Sequence, residues 1–105
     1  MFGPFQNMLM KQLQKVQEQL VKIQSELAEE RLEGSAGGGV VKVSINGIGE
    51  IQSVKIDPQV VTADDVELLE DLLTAAVREA VGCAQERRAE RMRELTGGLN
   101  IPGLF

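Results

Sequence analysis

The chain has 105 residues, a net charge of −5 and no histidine, tryptophan or tyrosine. This length suits one domain with a modest core, which we expect to span residues 1–105. The absence of histidine removes the usual acid/base catalyst at neutral pH and the commonest metal ligand. One cysteine, Cys83, cannot form a disulfide within the chain. We therefore expect a binding protein rather than an enzyme, with no cofactor and no metal.

No apolar run is long enough to span a membrane, and no secretory or transit segment is recognisable. We therefore expect a cytoplasmic protein without a membrane partner. Cys83 lies in an apolar helical stripe and is predicted to be a packed core thiol. Because the net charge repels DNA at long range, binding to nucleic acid would require a local cluster of cations.

The first predicted element is one long helix over about residues 5–29. Its apolar side chains are spaced alternately four and three residues apart, and we call them the heptad seam: Leu9, Leu13, Val16, Leu20, Ile23 and Leu27. Lys11, Lys15 and Lys22 fall within about 40° of one another, opposite the seam. Glutamates share this stripe, so it fits either a solvated helix back or a phosphate-binding surface.

Two or three strands are predicted within residues 31–57. Residues 31–36 are a weak candidate for an edge strand, and residues 40–46 alternate like a half-buried strand. Gly37–Gly39 precedes a strand and is not followed by Gly-Lys-Ser/Thr, so it predicts a strand entry rather than a phosphate-binding loop.

Asn46 and Gly47 tolerate positive φ and predict a tight hairpin turn before a return strand over residues 49–57. Val54 and Ile56 of that strand are expected to face inward. The polar residues just after the turn leave two alternatives, a bulged register or an uncovered end of the sheet.

A second long helix is predicted over about residues 63–95, with Thr62 and Asp65 forming its capping box. Its apolar stripe contains Val66, Leu69, Leu73, Ala76, Ala80 and Cys83. Beyond residue 84 the stripe fades, so the last turns have no evident core to bury. Gly97-Gly98 is expected to end the helix and to begin a flexible tail over residues 97–105.

The fold class predicted from this order is α+β, with the two helices as antiparallel neighbours whose far ends extend away from a small sheet. Charge is segregated along it. Residues 26–72 carry eleven acidic and three basic side chains, whereas residues 73–105 carry five arginines and four glutamates. Basic side chains are therefore expected to collect on the far helical ends.

Arginines near the end of the second helix are the main candidates for a binding site. Arg87, Arg88 and Arg91 share about 100° of arc beside a glutamate stripe. Pairs three residues apart, such as Arg87 with Glu90, would stabilise the helix, whereas a free arginine face would bind phosphates. No aromatic residue interleaves with them, which favours contacts to the duplex backbone over base stacking. The expected DNA-binding residues are Lys11, Lys15, Lys22, Arg87, Arg88, Arg91 and Arg93.

The succession of these segments resembles the YbaB/EbfC family of bacterial nucleoid-associated proteins. The similarity covers nearly the whole chain and is most specific from Gly39 through Asn46-Gly47 to Ile56-Asp57-Pro58. It implies an α-β-β-β-α subunit, a tight tweezer-like homodimer, and binding of duplex DNA in the nucleoid with little or modest sequence preference. Association with recombination or replication proteins, and effects on gene expression or DNA repair, are also implied.

The same residues are also compatible with a different function. The heptad seam and the methionines of the first helix would also suit a helical adaptor that grips another protein without contacting DNA. Salt separates the two hypotheses, because phosphate binding weakens steeply with salt and apolar helix docking does not.

Overall fold

The computed structural model describes residues 3–99, so the predicted tail beyond residue 99 lies outside them. In chain order it contains α1 (Pro4–Glu29), β1 (Leu32–Ala36), β2 (Val41–Ile45), β3 (Ile51–Ile56), a 3₁₀ turn (Pro58–Val60) and α2 (Val66–Leu99). The predicted α-β-β-β-α order is confirmed. Within the described residues, neither helix combines the length and apolar character needed to cross a bilayer.

The second helix begins later than the sequence predicts. Asp65 alone caps it, because its carboxylate accepts a hydrogen bond from the backbone N–H of Leu68 at 3.0 Å. Thr62 belongs to a preceding turn, in which its carbonyl accepts from the N–H of Asp65 at 3.3 Å. The predicted capping box at Thr62 is therefore wrong, and the single aspartate takes its place.

The same helix also ends later than predicted, because α2 continues through Gly97-Gly98 to Leu99. Leu95 is buried against α1, and the hydroxyl of Thr96 donates to the carbonyl of Met92 at 3.1 Å. A glycine inside a helix costs only about 1 kcal/mol relative to alanine. Two glycines therefore weaken this end without stopping it.

The three strands form an antiparallel sheet in the order β1-β2-β3. Val43 of the central strand lies opposite Gly34 on one side and Val54 on the other. One face of the central strand packs against α2, and this contact forms a core whose members are fully buried: Val41, Val43, Ile45, Ala76, Ala80 and Ala84. Cys83 is half-buried beside it, and its thiol donates to the carbonyl of Glu33 at 3.8 Å.

Gly34 lets α2 lie directly on β1. A Cβ added at this position would lie 2.5 Å from the carbonyl oxygen of Ala76 and closer still to the backbone nitrogen of Ala80. The backbones of β1 and α2 are therefore in direct contact, which is possible only because both elements have small residues at this point. The result is a thin core with little apolar volume.

The connection between β2 and β3 is longer than the predicted tight turn. Asn46 is almost fully buried, and Gly49, rather than Gly47, takes the positive φ of 93°. Gly47 is required for space instead, because a Cβ there would lie 2.8 Å from the carbonyl oxygen of Leu27. The turn is therefore shaped by its contact with the end of α1.

The third strand is exposed along its whole length. A bulge shifts the register so that Ile51 lies opposite Ile45, and Val54 and Ile56 lie opposite buried residues of β2. These three side chains share the face that α2 covers on the central strand, yet they remain 50%, 43% and 37% exposed. Val54 and Ile56 therefore point to the core face, as predicted, but they are not buried, because α2 does not extend over β3.

The molecule is elongated, with principal extents of 73, 25 and 18 Å. Its radius of gyration is 20.5 Å, compared with about 13 Å for a compact domain of 100 residues. The length comes from the two helices, whose 26 and 34 residues rise about 1.5 Å each and extend beyond the sheet. We call α1 together with the α2 segment from residue 85 to residue 99 the arm.

Substitution of Gly34 by alanine should lower the free energy of unfolding by about 2 kcal/mol or more, because α2 must move off the sheet. Gly82→Ala is the matched control, since Gly82 lies in α2 with nothing within 4 Å of an added Cβ. The control should raise stability by about 0.5–1 kcal/mol through helix propensity. Urea denaturation of both variants measures the difference, and equal effects would contradict the close approach.

Candidate nucleic-acid interface

The arm is held together by a small apolar contact between its two helices. Ile23 and Leu27 of α1 pack with Leu95 of α2, and Leu20 covers one side of the cluster. The end of α2 therefore has a core to bury, contrary to the expectation from its fading apolar stripe. That core is supplied by α1, which follows the antiparallel course predicted for the pair.

Two arginines of α2 bind glutamates at the end of α1. Arg87 donates to both carboxylate oxygens of Glu30, with 2.7 Å between Nη2 and Oε1. One turn further along, Nη2 of Arg91 lies 2.6 Å from Oε2 of Glu26. Planar guanidinium groups suit this forked geometry. We call these two pairs the arginine clamp, because both join α2 to the end of α1.

The same arginines also pair along α2. Arg87 lies 3.0 Å from Glu90 and Arg91 lies 3.1 Å from Glu94. The expected helix-stabilising pairs three residues apart are therefore present. The side chains of Arg87 and Arg91 are only 32% and 15% exposed. The predicted exposed arginine face is wrong for these two residues, because each is saturated by two carboxylates.

The clamp shifts the ionisation of its members. The hydrogen bond from Arg87 is the largest cause that lowers the pKa of Glu30 below its ordinary value of 4.5. The hydrogen bonds that Arg87 donates to Glu30 and that Arg91 donates to Glu26 are the largest causes that raise the pKa of the two arginines. Glu30 and both arginines are therefore charged at neutral pH. With two arginines and two glutamates, the clamp adds no formal net positive charge to the arm.

The remaining predicted residues divide into paired and unpaired cations. Arg93 lies 3.3 Å from Glu86, and Lys22 lies 4.0 Å from Glu26 at the margin of an ion pair. Within residues 3–99, no carboxylate lies in ion-pair distance of the other three: Lys11, Lys15 and Arg88. These three are exposed to solvent on the arm. They are the predicted residues whose charge is available to a phosphate.

A cleft opens between the helices where they diverge. It has a volume of about 660 Å³, and Lys15 and Lys22 on α1 face Arg91 and Glu94 on α2 across it. Ile23 and Leu95 form its floor, where the apolar cluster ends. The structure thus brings two of the three predicted lysines and one predicted arginine to the same cleft. Lys11 lies further along α1, beyond the cleft.

Four further cations have no ion-pair partner among the described residues and were not predicted as site residues: Arg31, Lys42, Lys55 and Arg78. Lys42 of β2 lies directly opposite Lys55 of β3. Because Val41 and Val43 are buried, alternation places this pair on the sheet face away from α2. The alternation was visible in the sequence, but their proximity depends on the strand register.

Comparison with known proteins identifies the family of this chain. Residues 2–99 match the family model described as the YbaB/EbfC DNA-binding family. This chain belongs to that family. It is 54% identical over 99 residues to a nucleoid-associated protein of Clostridium novyi, an alignment that covers 94% of this chain and 87% of the relative. It is also 52% identical over 106 residues to a nucleoid-associated protein of Dictyoglomus thermophilum, with both chains fully covered.

A solved structure has a fold similar to that of this chain. The crystal structure of an uncharacterized protein from Helicobacter pylori superposes with a TM-score of 0.76 at 23% identity. The match covers 84% of this chain and 92% of the other. The α-β-β-β-α architecture is therefore found in an experimental structure.

The clamp predicts a specific dependence of stability on pH. The pKa of Glu30 is lowered by folding, so its contribution is present above about pH 4.5 and is lost as the pH falls through the lower folded value. Glu30→Gln should therefore shift the urea midpoint downward at neutral pH, and this difference from the parent should shrink in acid.

Glu29→Gln serves as the control, because Glu29 is an exposed neighbour outside the clamp. It should leave the midpoint nearly unchanged at every pH. If Glu30→Gln destabilised the protein equally at neutral and acid pH, the charge of Glu30 would not be what holds the helices together.

Proposed function

We propose that this protein is a non-enzymatic, nucleoid-associated protein of the bacterial cytoplasm that binds duplex DNA as a homodimer with little or modest sequence preference. The family match over residues 2–99 is the observation that carries this proposal. The names of its relatives in two bacteria support the nucleoid location. Effects on nucleoid organisation, gene expression or DNA repair would follow from such binding.

We assign the DNA contacts to the unpaired cations of the arm. Lys11, Lys15 and Arg88 are exposed and without carboxylate partners in the described part of the chain. Lys22 lies beside Lys15 at the cleft, and its contact with Glu26 at 4.0 Å is long enough to be exchanged for a phosphate. An exposed ion pair of this kind is worth little, so its loss would not oppose binding.

The paired arginines have a different role in this proposal. Arg87 and Arg91 are each already paired with two glutamates, so a phosphate could bind either arginine only by displacing a glutamate. These two residues therefore position the arm, and Arg93 joins DNA only by leaving Glu86. Contacts made by exposed lysines and one arginine fix the protein on the phosphate backbone and carry no base information.

The dimer is assigned to the uncovered face of β3. Ile51, Val54 and Ile56 continue the core face of the central strand but have no helix over them. An exposed apolar edge strand invites pairing with another chain, and a second copy offers the same face. Dimerisation through it would bury the part of the core that α2 leaves open. Each subunit would then carry one arm away from a shared body, which gives the tweezer-like shape.

The dimer assignment predicts that Val54→Glu separates the subunits, because it places a charge in the apolar face. Ser53→Glu carries the same charge on the neighbouring residue, whose side chain lies on the opposite face of the strand. Sedimentation at micromolar concentration should show two chains per particle for the parent and for Ser53→Glu, and one for Val54→Glu. A monomeric, folded parent protein would refute the homodimer.

The DNA assignment predicts that alanine at Lys11, Lys15 and Arg88 together weakens duplex binding by at least about 10-fold. The salt dependence should also flatten by roughly one unit per lost phosphate contact. The fold should persist, since all three side chains are exposed. Titration of a duplex by fluorescence anisotropy at several salt concentrations measures both quantities.

The matched control replaces three unpaired cations of the body with alanine, namely Lys42, Lys55 and Arg78. It removes the same three positive charges from a chain whose net charge is already −5. Long-range repulsion is therefore equal in the two variants, and we expect the control to bind within about 3-fold of the parent. Equal losses in both variants, or a larger loss in the control, would place the DNA site elsewhere than on the arm.

The adaptor hypothesis is the second candidate, and the exposed apolar side chains at the start of α1 favour it. Recombination or replication proteins would then be the partners gripped by the arm. In that case the purified protein should show no salt-dependent binding to duplex DNA.

A further inference from the structure

The start of α1 carries an apolar surface that nothing in the described structure covers. Phe5, Leu9 and Leu13 are 67%, 44% and 65% exposed, and two methionines lie among them. Because Leu95 packs beside Ile23 and α2 is described to Leu99, four residues later, about four turns of α1 extend past the described part of the partner helix. We call residues 4–16 the tip of α1.

The exposed surface is the continuation of a seam that is already in use. Leu20, Ile23 and Leu27 of the heptad seam pack against Leu95 of α2. Leu9 and Leu13 continue the same spacing onto the tip, where no helix of the described residues lies beside them. Val16 lies between them and the packed part of the seam, at the edge of the cleft. A heptad seam presents its side chains to another helix, so the occupant that fits the tip is helical.

The residues that flank the seam at the tip indicate which helix fits. In a helix pair, charges at the flanking positions select the partner. The flanking positions of the tip hold only uncharged residues, namely Phe5, Met10 and Gln12, and the next two flanking positions along α1 are Gln17 and Gln19. Two copies can therefore approach without like-charge repulsion, whereas nothing at the flanks would attract a charged partner helix.

The cations of the tip do not interfere with such pairing. Lys11 lies on the back of α1, and Lys15 lies at the edge of the cleft; neither side chain is part of the seam, and both are exposed. A helix pair at the tip is thus compatible with phosphate contacts by the same arm. The cations and the seam residues of the tip occupy different faces of one helix.

We propose that the tips of α1 from two neighbouring dimers pair with each other along their heptad seams. This inference rests on the homodimer and DNA binding proposed above. The contact spans about two heptads, which is too short for stable pairing of isolated helices in water. It forms where DNA holds dimers at high effective concentration, and it links them along one duplex or between two.

The test uses the full-length double variant Leu9→Gln/Leu13→Gln, which removes apolar surface and leaves the charge unchanged. The control is Val21→Gln, because Val21 is an apolar residue of α1 as exposed as Phe5 but outside the seam. Three measurements are made on each protein: sedimentation without DNA, affinity for a duplex that holds one dimer, and binding to a duplex that holds many. Capture of free DNA by bead-bound DNA measures linkage between duplexes.

We expect the seam variant to remain dimeric and to bind the short duplex within about 2-fold of the parent. On the long duplex its Hill coefficient should fall to about 1, and captured DNA should fall at least about 5-fold. Val21→Gln should match the parent in every measurement. If the seam variant still sediments as two chains per particle, the result is not due to loss of the dimer. If its affinity for the short duplex is unchanged, the result is not due to loss of the DNA site.

Three outcomes would overturn the proposal. Unchanged cooperativity and capture in the seam variant would show that the tips do not pair. Dissociation of the seam variant into monomers would assign the seam to the dimer itself. If the parent fails to bind the short duplex, the proposed function fails, and the pairing is then judged by sedimentation at high concentration. In that experiment the proposal is overturned if the parent forms no assemblies larger than the dimer, or if the seam variant forms them to the same extent.

Discussion

The arm depends on how α1 is fastened, because among residues 3–99 the contacts of α1 with the other elements lie in its C-terminal half. The buried amide of Asn46 donates to the carbonyl of Ala28 at 3.2 Å and to the carboxylate of Glu50 at 2.9 Å. The N–H of Gly47 donates to the carbonyl of Leu27 at 2.8 Å. Together with the arginine clamp, these bonds fix the direction of α1 and leave its first half projecting. Everything that the arm presents to other molecules follows from this one-ended attachment.

The composition of the core explains why the fold leaves surfaces open. Gly34 and the alanines of α2 allow very close packing, but they bury little apolar volume. Close packing also holds α2 over β1 and β2, so that it does not extend over β3. A subunit built in this way has an unfinished apolar face, and association with a second copy is the simplest way to complete it.

In the arm, charged side chains hold the two helices together and, in the function that we propose, also bind DNA. The acidic chain as a whole repels DNA, so a binding surface needs local positive charge that is not already neutralised. Arg87 and Arg91 hold the helices together and are neutralised by glutamates, whereas Lys11, Lys15 and Arg88 are not. Counting basic residues along the helix therefore overstates the charge available to phosphates. Pairing across the two helices decides which cations remain.

The residues by themselves predicted a helix, two or three strands and a second helix, the span of α1, and the Arg87–Glu90 type of pair, because each follows from local periodicity or from residues three apart. The third strand was implied by the resemblance to the family. Only the tertiary structure decided that Asn46 joins the turn to α1, that Leu95 is buried and that β3 lies uncovered. It also decided that Arg87 binds Glu30, a residue 57 positions away. Periodicity specifies which face of an element is apolar, but the partner of that face is set by how the elements pack. The candidate site was therefore found as a region from the sequence, while the separation of clamp arginines from available cations required the packed helices.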